Sequence, residues 1–333
     1  MHNHVFIIAE AGVNHNGRLD LALQLCDAAK NAGVDCVKFQ TWKTELIISK
    51  DTEMADYQKN NLGNSDTQYD MLKKLELSYD NFRIIKEHCD KIGILFLSTA
   101  DETESLDFIC ELGMPFIKLG SGEITNIPYL RYCAQKNMPI IISTGMCHLS
   151  DVIIAYNTLI GAGAKDITVL HCTTNYPCPM DEVNLNAMST IKQALKCKVG
   201  YSDHTMGIEV PIAAVALGAE IIEKHFTLNR NMEGPDHPAS LEPDELAEMV
   251  KQIRNIEKAL GNGIKEPNES ERKISKVVLK SIVAKNNILK GQILNENNLT
   301  IKRVSKGISA AYWDLIVGTQ AKTDYKADEP IIL

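Results

Sequence analysis

The chain has 333 residues, which suits one large domain of about 250 residues and a smaller one. Its formal net charge of −8 excludes the basic footprint of a nucleic-acid-binding surface, although a few placed cations can still bind an anion locally. The N-terminus lacks the layout of a signal peptide, and no apolar run reaches the ~18 residues of a membrane span. The nine cysteines lack C-x-x-C spacing. We therefore expect a cytoplasmic protein with reduced thiols and no membrane partner.

Short β-branched runs alternate with segments of helical periodicity along the first two thirds of the chain. The predicted strands cover residues 5–10, 35–40, 94–99, 116–120, 139–144, 166–172, 197–202 and 219–225. Glycines stand before several of these strands, where the end of a helix favours a left-handed residue: Gly33, Gly93, Gly113 and Gly218. This alternation predicts a parallel (β/α)8 TIM barrel. The alternative, an open doubly wound sheet, more often has a glycine-rich phosphate turn after its first strand, and none is present here.

The long polar segment 41–78 interrupts the alternation between the second and third predicted strands. An insertion at this end of a barrel strand often carries substrate contacts, and a mobile cover is an equal alternative.

The chain changes character after its last barrel helix. We expect a catalytic barrel over residues 1–262, a polar linker containing Gly and Pro over 263–276, and a small β-rich domain over 277–333. A unit of about 55 residues is small for independent stability, so we expect it to dock on another surface.

Polar residues recur at the C-terminal ends of the predicted strands, where a TIM barrel carries its catalytic groups. Lys38 and Lys118 lie inside apolar strands, and burying an ammonium group without an anion costs several kcal/mol. Together with the hydroxyls of Thr99, Ser121 and Ser143, these lysines predict a site for a phosphate and a carboxylate.

His204 and His225 end neighbouring strands and are candidate ligands of one divalent cation. Their spacing is no local metal signature, so two unrelated polar histidines remain the alternative. Asp236 follows at the same barrel mouth and is a candidate to orient a sugar hydroxyl or a metal-bound water. Glu223, two residues before His225, is a candidate hydrogen-bond partner of an imidazole.

Ordered motifs along the chain resemble the blocks of the sialic acid (nonulosonic acid) synthase family. They are EAGVNHNG (10–17), KFQT (38–41), KLGSGE (118–123), STGM (143–146), GYSDHT (200–205), EKHFT (223–227) and GPDHP (234–238). The segment LTIKRVSKGIS (299–309) resembles the antifreeze-like (SAF) domain of those synthases. The resemblance implies condensation of phosphoenolpyruvate with an N-acetylated amino sugar on a divalent metal, with Mn²⁺ favoured and Mg²⁺ or Co²⁺ as alternatives.

The resemblance also assigns roles to individual residues. Those that match the phosphoenolpyruvate cradle are Lys38, Thr99, Lys118, Ser121, Ser143 and Ser202. Those that match positions around the sugar and the reacting carbons are Glu10, Gln40, Glu123, Tyr176 and Asp236. His204 and His225 match the metal ligands. Arg303 matches an arginine that reaches the sugar's N-acetyl group from the partner subunit, which implies a homodimer with exchanged C-terminal domains.

These parts meet the needs of the implied reaction. A bound metal would supply polarisation of the sugar carbonyl, whose carbon is the one that carbon 3 of phosphoenolpyruvate attacks in the implied reaction. Glu10 and Glu123 can stabilise the positive charge at carbon 2 or direct water to it, while Lys38 and Lys118 neutralise the departing phosphate.

One residue departs from the pattern of N-acetylneuraminate synthases. Thr174 stands where those enzymes carry asparagine, and the run Thr173–Pro177 is more similar to the legionaminic acid branch. We therefore expect a 2,4-diacetamido-2,4,6-trideoxymannose acceptor, because a shorter side chain leaves room for a second acetamido group. N-acetylneuraminate synthase and pseudaminic acid synthase activities are the alternatives, followed by a metal-dependent aldolase and by a carbohydrate-binding protein with an inert barrel.

Overall fold

A computed structural model describes residues 4–56, 58–59 and 67–332 of the chain. The described residues form two compact units, Met1–Asn262 and Gly263–Leu333. Among them, no helix combines the length and the apolar character needed to cross a membrane.

The described part of the first unit contains a closed barrel of eight parallel strands in sequential order, so the predicted TIM barrel is confirmed. The strands are β1 (Phe6–Gly12), β2 (Cys36–Thr41), β3 (Leu95–Ala100), β4 (Ile117–Leu119), β5 (Ile140–Ser143), β6 (Ile167–Cys172), β7 (Lys198–Asp203) and β8 (Ile221–His225). Pairing of β8 with β1 closes the ring. The observed bounds differ from the predicted ones by at most two residues at each end.

Helices connect successive strands of the barrel, and one follows the last strand. They are α1 (Leu19–Ala32), α2 (Thr44–Ile47), α3 (Gln68–Leu75), α4 (Tyr79–Ile92), α5 (Thr103–Glu111), α6 (Ile127–Ala134), α7 (Leu149–Gly161), α8 (Asn186–Leu195), α9 (Glu209–Ala216) and α10 (Pro243–Leu260). Of these, α2 and α3 belong to the insertion after β2, and α10 follows β8. Gly33 and Gly93 end α1 and α4 in the left-handed conformation, with φ of 80° and 73°. Gly113 and Gly218 also have positive φ, as the sequence predicted.

The barrel register brings the predicted polar strand ends into contact. Glu10 of β1 is paired with Lys38 of β2 on one side and with His225 of β8 on the other. Gln40 is paired with Thr99, and Thr99 with Lys118. The candidate residues on β1 to β4 and β8 therefore share one rim of the barrel.

The insertion after β2 has a small core of its own. Val13, Trp42, Met54, Met71 and Leu75 are buried together beneath α2 and α3. The Glu76 carboxylate accepts hydrogen bonds from the backbone N–H and the hydroxyl of Thr44, at 3.0 and 2.6 Å, which fixes the start of α2. Residues 57 and 60–66 of the predicted insertion lie outside the described part of the chain.

The second unit has a separate core around an antiparallel strand pair. Helix α11 (Glu269–Val278) precedes β9 (Lys280–Ala284), β10 (Leu299–Arg303) and the short α12 (Trp313–Ile316). Buried side chains at its centre include Ile282, Ile288 and Tyr325. The segment predicted as a linker thus contains most of a helix, because Asn268 and Glu271 form a reciprocal capping box at its start.

Candidate active site

The Lys38 ammonium group lies at the centre of a buried polar cluster formed by β1, β2 and β3. Its Nζ is 2.7 Å from Glu10 Oε2 and donates to Thr99 Oγ1 at 2.9 Å. Only 3% of the lysine side chain is exposed. Burial alone lowers the pKa of Lys38, but the Glu10 and Glu223 carboxylates outweigh this effect and raise its pKa above the usual value. Lys38 is therefore charged and already neutralised by the protein.

Lys118 forms the second cationic centre, on β4. Its Nζ donates to Ser143 Oγ at 2.8 Å and lies 3.4 Å from Glu223 Oε1. The same carboxylate accepts from Ser202 Oγ at 2.9 Å, and its other oxygen is 3.7 Å from the Nζ of Lys38. Burial tends to raise the pKa of Glu223, but Lys118 and Lys38 outweigh it and hold the pKa well below the usual range.

The two buried carboxylates differ in their acidity, because the lysines outweigh the effect of burial at Glu223 and not at Glu10. Burial raises the pKa of Glu10 to about 7, against the opposing influence of Lys38, whereas Glu223 stays ionised. Two buried ammonium groups flanked by hydroxyls form an anion site. Its positive charge is balanced by two carboxylates that differ in how readily they take up a proton. The two lysines and the predicted hydroxyls of Thr99, Ser143 and Ser202 thus meet in one place.

Ser121 and Thr174 meet at Gly145, beside this lysine site. The Gly145 N–H donates to Ser121 Oγ at 2.9 Å. A Cβ atom on Gly145 would stand 2.0 Å from Thr174 Oγ1 and 3.0 Å from Ser121 Oγ, so only glycine allows this approach. Thr174 consequently borders the anion site through Gly145.

His204 and His225 face each other across the ends of β7 and β8. Their ring centroids are 5.4 Å apart, and the Tyr176 ring lies 4.1 Å from the His204 ring. Nδ1 of His204 is 2.6 Å from the Thr173 carbonyl oxygen, which assigns the proton to Nδ1 and leaves Nε2 with a lone pair. Burial lowers the pKa of both imidazoles, so both are neutral and able to ligate a metal.

The donor set around these histidines fits an open metal site. Nδ1 of His225 is buried without a hydrogen-bond partner among the described residues, and Asp236 Oδ2 lies 3.9 Å from it. Among the residues that the structure describes, no group of three or more His, Cys, Asp or Glu side chains is arranged to hold a metal alone. Two protein nitrogens therefore leave coordination positions for water and substrate, as catalytic metal sites do.

The remaining predicted residues of the barrel surround the same mouth. Gln40 Nε2 donates to Glu10 Oε1 at 3.1 Å, and Glu123 accepts from Asn126 Nδ2 at 2.7 Å. Burial raises the pKa of Asp236 to about 6 and also raises that of Glu123. Arg303 is different: it ends β10 in the second unit, where its side chain is exposed.

The positions of two carboxylates of the site, Glu223 and Asp101, were not predicted from the sequence. Glu223 was a candidate partner of an imidazole, whereas the structure places it between the two lysines. Asp101, directly after β3, was not singled out. Burial, with a further contribution from Glu123, raises its pKa to about 7. Its position directly after a barrel strand could have marked Asp101 as a candidate site residue, because catalytic groups of TIM barrels lie at the C-terminal ends of the strands.

Comparisons with known proteins agree with this geometry. The model of the NeuB family matches residues 25–265, and that of the SAF domain matches residues 280–332. The chain is 51% identical to an N,N'-diacetyllegionaminic acid synthase of Campylobacter jejuni, covering 98% of both chains. It is 45% identical to the enzyme of the same name from Legionella pneumophila, covering 98% of this chain and 93% of that one.

A solved structure is similar as well. It is an N-acetylneuraminic acid synthetase from Leptospira borgpetersenii in complex with citrate, with a TM-score of 0.72 and 36% identity over 82% of this chain and 90% of that chain.

Proposed function

The chain belongs to the NeuB family, and we propose that it joins phosphoenolpyruvate to 2,4-diacetamido-2,4,6-trideoxymannose, releasing phosphate and forming N,N'-diacetyllegionaminic acid. The near full-length similarity to two enzymes named for that product supports the choice of sugar. The observation that carries the reaction type is the pair of buried lysines, Lys38 and Lys118, with hydroxyl donors around them.

Phosphoenolpyruvate is the anion that this lysine site suits. Lys38 and Lys118 supply charge, and hydroxyl groups supply directional hydrogen bonds to phosphate and carboxylate oxygens. The hydroxyls come from Thr99, Ser121, Ser143 and Ser202. Glu10 pairs with Lys38 and Glu223 pairs with Lys118. A bound phosphate or carboxylate group must therefore compete with these carboxylates for the lysines or displace them.

His204 and His225 would hold a divalent ion, for which we propose Mn²⁺, with Mg²⁺ or Co²⁺ as alternatives. When bound, such an ion supplies Lewis-acid polarisation of the open-chain sugar's carbonyl oxygen. The neutral state of both imidazoles and the unpartnered Nδ1 of His225 support this assignment. Asp236 lies close enough to His225 to orient the sugar or a water beside it.

The carboxylates and lysines account for the remaining steps. A bond forms between carbon 3 of phosphoenolpyruvate and the sugar carbonyl carbon, and positive charge develops at carbon 2. The π bond of the sugar carbonyl breaks, and its oxygen takes up a proton from solvent to become a hydroxyl group. Glu10 and Glu123 stabilise that charge and accept a proton from the water that adds there. Phosphate then leaves with cleavage of its bond to carbon 2, while Lys38 and Lys118 neutralise it.

Sugar selection separates this proposal from its closest alternatives. Gln40, Tyr176 and Asp236 surround the mouth in which the acceptor lies, and Thr174 provides the space for a second acetamido group. N-acetylneuraminate synthase activity on N-acetylmannosamine is the second candidate, supported by the similarity to the Leptospira synthetase. Pseudaminic acid synthase activity is a further alternative within the same reaction type.

We also propose a homodimer in which the second unit serves the barrel of a second copy. Arg303 is exposed on β10 and is available to reach a sugar's N-acetyl group in a partner. Helix α11 and the residue after it present exposed apolar side chains at Ile274, Val277 and Leu279, which a second copy would cover. The nine cysteines, all within the described residues, are free thiols, which supports a cytoplasmic setting.

Release of inorganic phosphate tests the reaction type. Phosphate should appear only when phosphoenolpyruvate and the diacetamido sugar are both present. Lys118→Met should abolish release, whereas Lys198→Met, which removes an exposed lysine paired with Asp166, should leave it unchanged. Formation of the nine-carbon acid from pyruvate without phosphoenolpyruvate would identify an aldolase instead.

A further inference from the structure

A cavity of about 790 Å³ lies between the ends of β3 and β4 and the insertion after β2. Its two sides differ in chemistry. The insertion contributes aliphatic side chains from Leu46, Ile47, Ile48 and Leu72. The barrel contributes polar groups, which include Asp101, Glu102, Glu123 and Asn126. The cavity is therefore amphipathic, with an apolar wall facing carboxylates and an amide.

The aliphatic wall is held in place although part of it faces solvent. Ile47 and Leu72 pack against the buried core of the insertion that contains Trp42 and Met71. Leu46 remains 54% exposed, and Ile48 is half-buried. Such side chains gain free energy when a ligand removes their apolar surface from water. The wall is thus fixed, apolar and still accessible.

The cavity adjoins the catalytic groups. Glu123 belongs both to the predicted catalytic set and to the cavity lining. Asp101, on the same wall, is close enough to Lys38 for that ammonium group to oppose the rise in the pKa of Asp101 caused by burial. A ligand that extends from the lysine site past Glu123 therefore enters this cavity.

The order of the strands indicates which end of the sugar arrives there. In the proposed reaction, the metal that His204 and His225 would hold would bring the carbonyl end of the acceptor to β7 and β8. In the closed ring, β3 and β4 lie on the opposite side of the mouth from β7 and β8. A six-carbon acceptor that extends across the mouth thus directs its last carbon towards the cavity.

We propose that this cavity binds the C6 end of the acceptor and selects a 6-deoxy methyl group over a hydroxymethyl group. The inference rests on the proposed function and names a determinant of its sugar class. The methyl group contacts Leu46, Ile47, Ile48 and Leu72, where a hydroxyl would lose its water without gaining a partner. The carboxylates opposite accept a hydrogen bond from the C5 hydroxyl.

Two sugars that differ by one oxygen atom test the assignment. N-acetylmannosamine and its 6-deoxy analogue are titrated, each alone with Mn²⁺, into the wild-type protein and into Leu46→Gln/Ile48→Thr, with calorimetric measurement of Kd. The wild type should bind the 6-deoxy sugar about tenfold more tightly. The double variant should bring the two Kd values to within about twofold of each other.

Ile84→Thr provides the matched control, because Ile84 is 45% exposed on α4 and does not line the cavity. It should keep the wild-type preference. The assignment is overturned if the wild type binds both sugars equally, binds neither, or keeps its preference in the double variant. Turnover is scored separately by phosphate release from phosphoenolpyruvate. Selective binding without any turnover would therefore contradict the proposed reaction and leave the cavity assignment standing.

Discussion

Lys224 and Asp203 form an ion pair that is wholly excluded from solvent, with 2.6 Å between Nζ and Oδ2. The two residues are register partners on β8 and β7, and each directly precedes one of the candidate metal ligands. Asp203 also accepts hydrogen bonds from the N–H and the hydroxyl of Thr205, at 3.1 and 3.0 Å. The pair therefore ties together the strand ends that carry His204 and His225.

Breaking this pair should destabilise the barrel strongly. Lys224→Met leaves the Asp203 charge buried without a partner, and we expect the free energy of unfolding to fall by about 3–5 kcal/mol in urea denaturation. Lys224→Met/Asp203→Leu should recover only part of this loss: no charge stays buried alone, but the buried N–H and hydroxyl of Thr205 lose their acceptor. Lys198→Met, which breaks an exposed pair with Asp166, should cost no more than about 1 kcal/mol. Equal losses in Lys224→Met and Lys198→Met would refute the role of the buried pair.

Gly145→Ala should impair binding of phosphoenolpyruvate. The added Cβ would stand 2.0 Å from Thr174 Oγ1 and 3.0 Å from Ser121 Oγ, so the cradle hydroxyl must move. Because displacements of this size cost up to about a hundredfold, we expect the KM for phosphoenolpyruvate to rise at least tenfold in steady-state kinetics. Gly161→Ala is the matched control, since nothing lies within 4 Å of its Cβ position. An unchanged KM in Gly145→Ala would remove Ser121 from the cradle.

His204→Ala should abolish metal binding and metal-dependent turnover, because one of the two protein nitrogens is lost. Isothermal titration with Mn²⁺ measures binding directly, and circular dichroism checks that the fold is retained. His88→Ala, which removes an imidazole paired with Asp27 on the surface, should bind the metal like the wild type. Full activity of a metal-free His204→Ala protein would reject the metal role.

Arg303→Ala should raise the KM for the sugar at least about tenfold and leave that for phosphoenolpyruvate nearly unchanged, since hydrogen bonds to charged groups contribute about 1.5–3 kcal/mol. Lys302→Ala is the neighbouring control, because Lys302 is exposed and pairs with Asp328. If both KM values rise equally in Arg303→Ala, the arginine does not contact the sugar.

The barrel and much of its mouth could be predicted because their causes are local in the sequence. Strand–helix alternation specified the closed ring, and the cost of a buried ammonium group marked Lys38 and Lys118 as binding residues. The partners of these lysines could not be predicted in full. Glu223 reaches both only because the ring closes and brings β8 close to β2 and β4.

Other features were missed for equally specific reasons. Helix α11 was assigned to a polar linker, since its capping box gives little signal beside so many charged residues. Asp101 follows β3 as one acidic residue among several, and only packing makes it a buried neighbour of Glu123. The burial of Asp101 depends on contacts that spacing in the sequence does not encode.

The most direct measurement is a comparison of acceptor sugars with phosphoenolpyruvate and Mn²⁺, followed by phosphate release and by the mass of the product. We predict a higher kcat/KM for 2,4-diacetamido-2,4,6-trideoxymannose than for N-acetylmannosamine, and a product with the mass of N,N'-diacetyllegionaminic acid. A clear preference for N-acetylmannosamine, with N-acetylneuraminate as the product, would contradict the account.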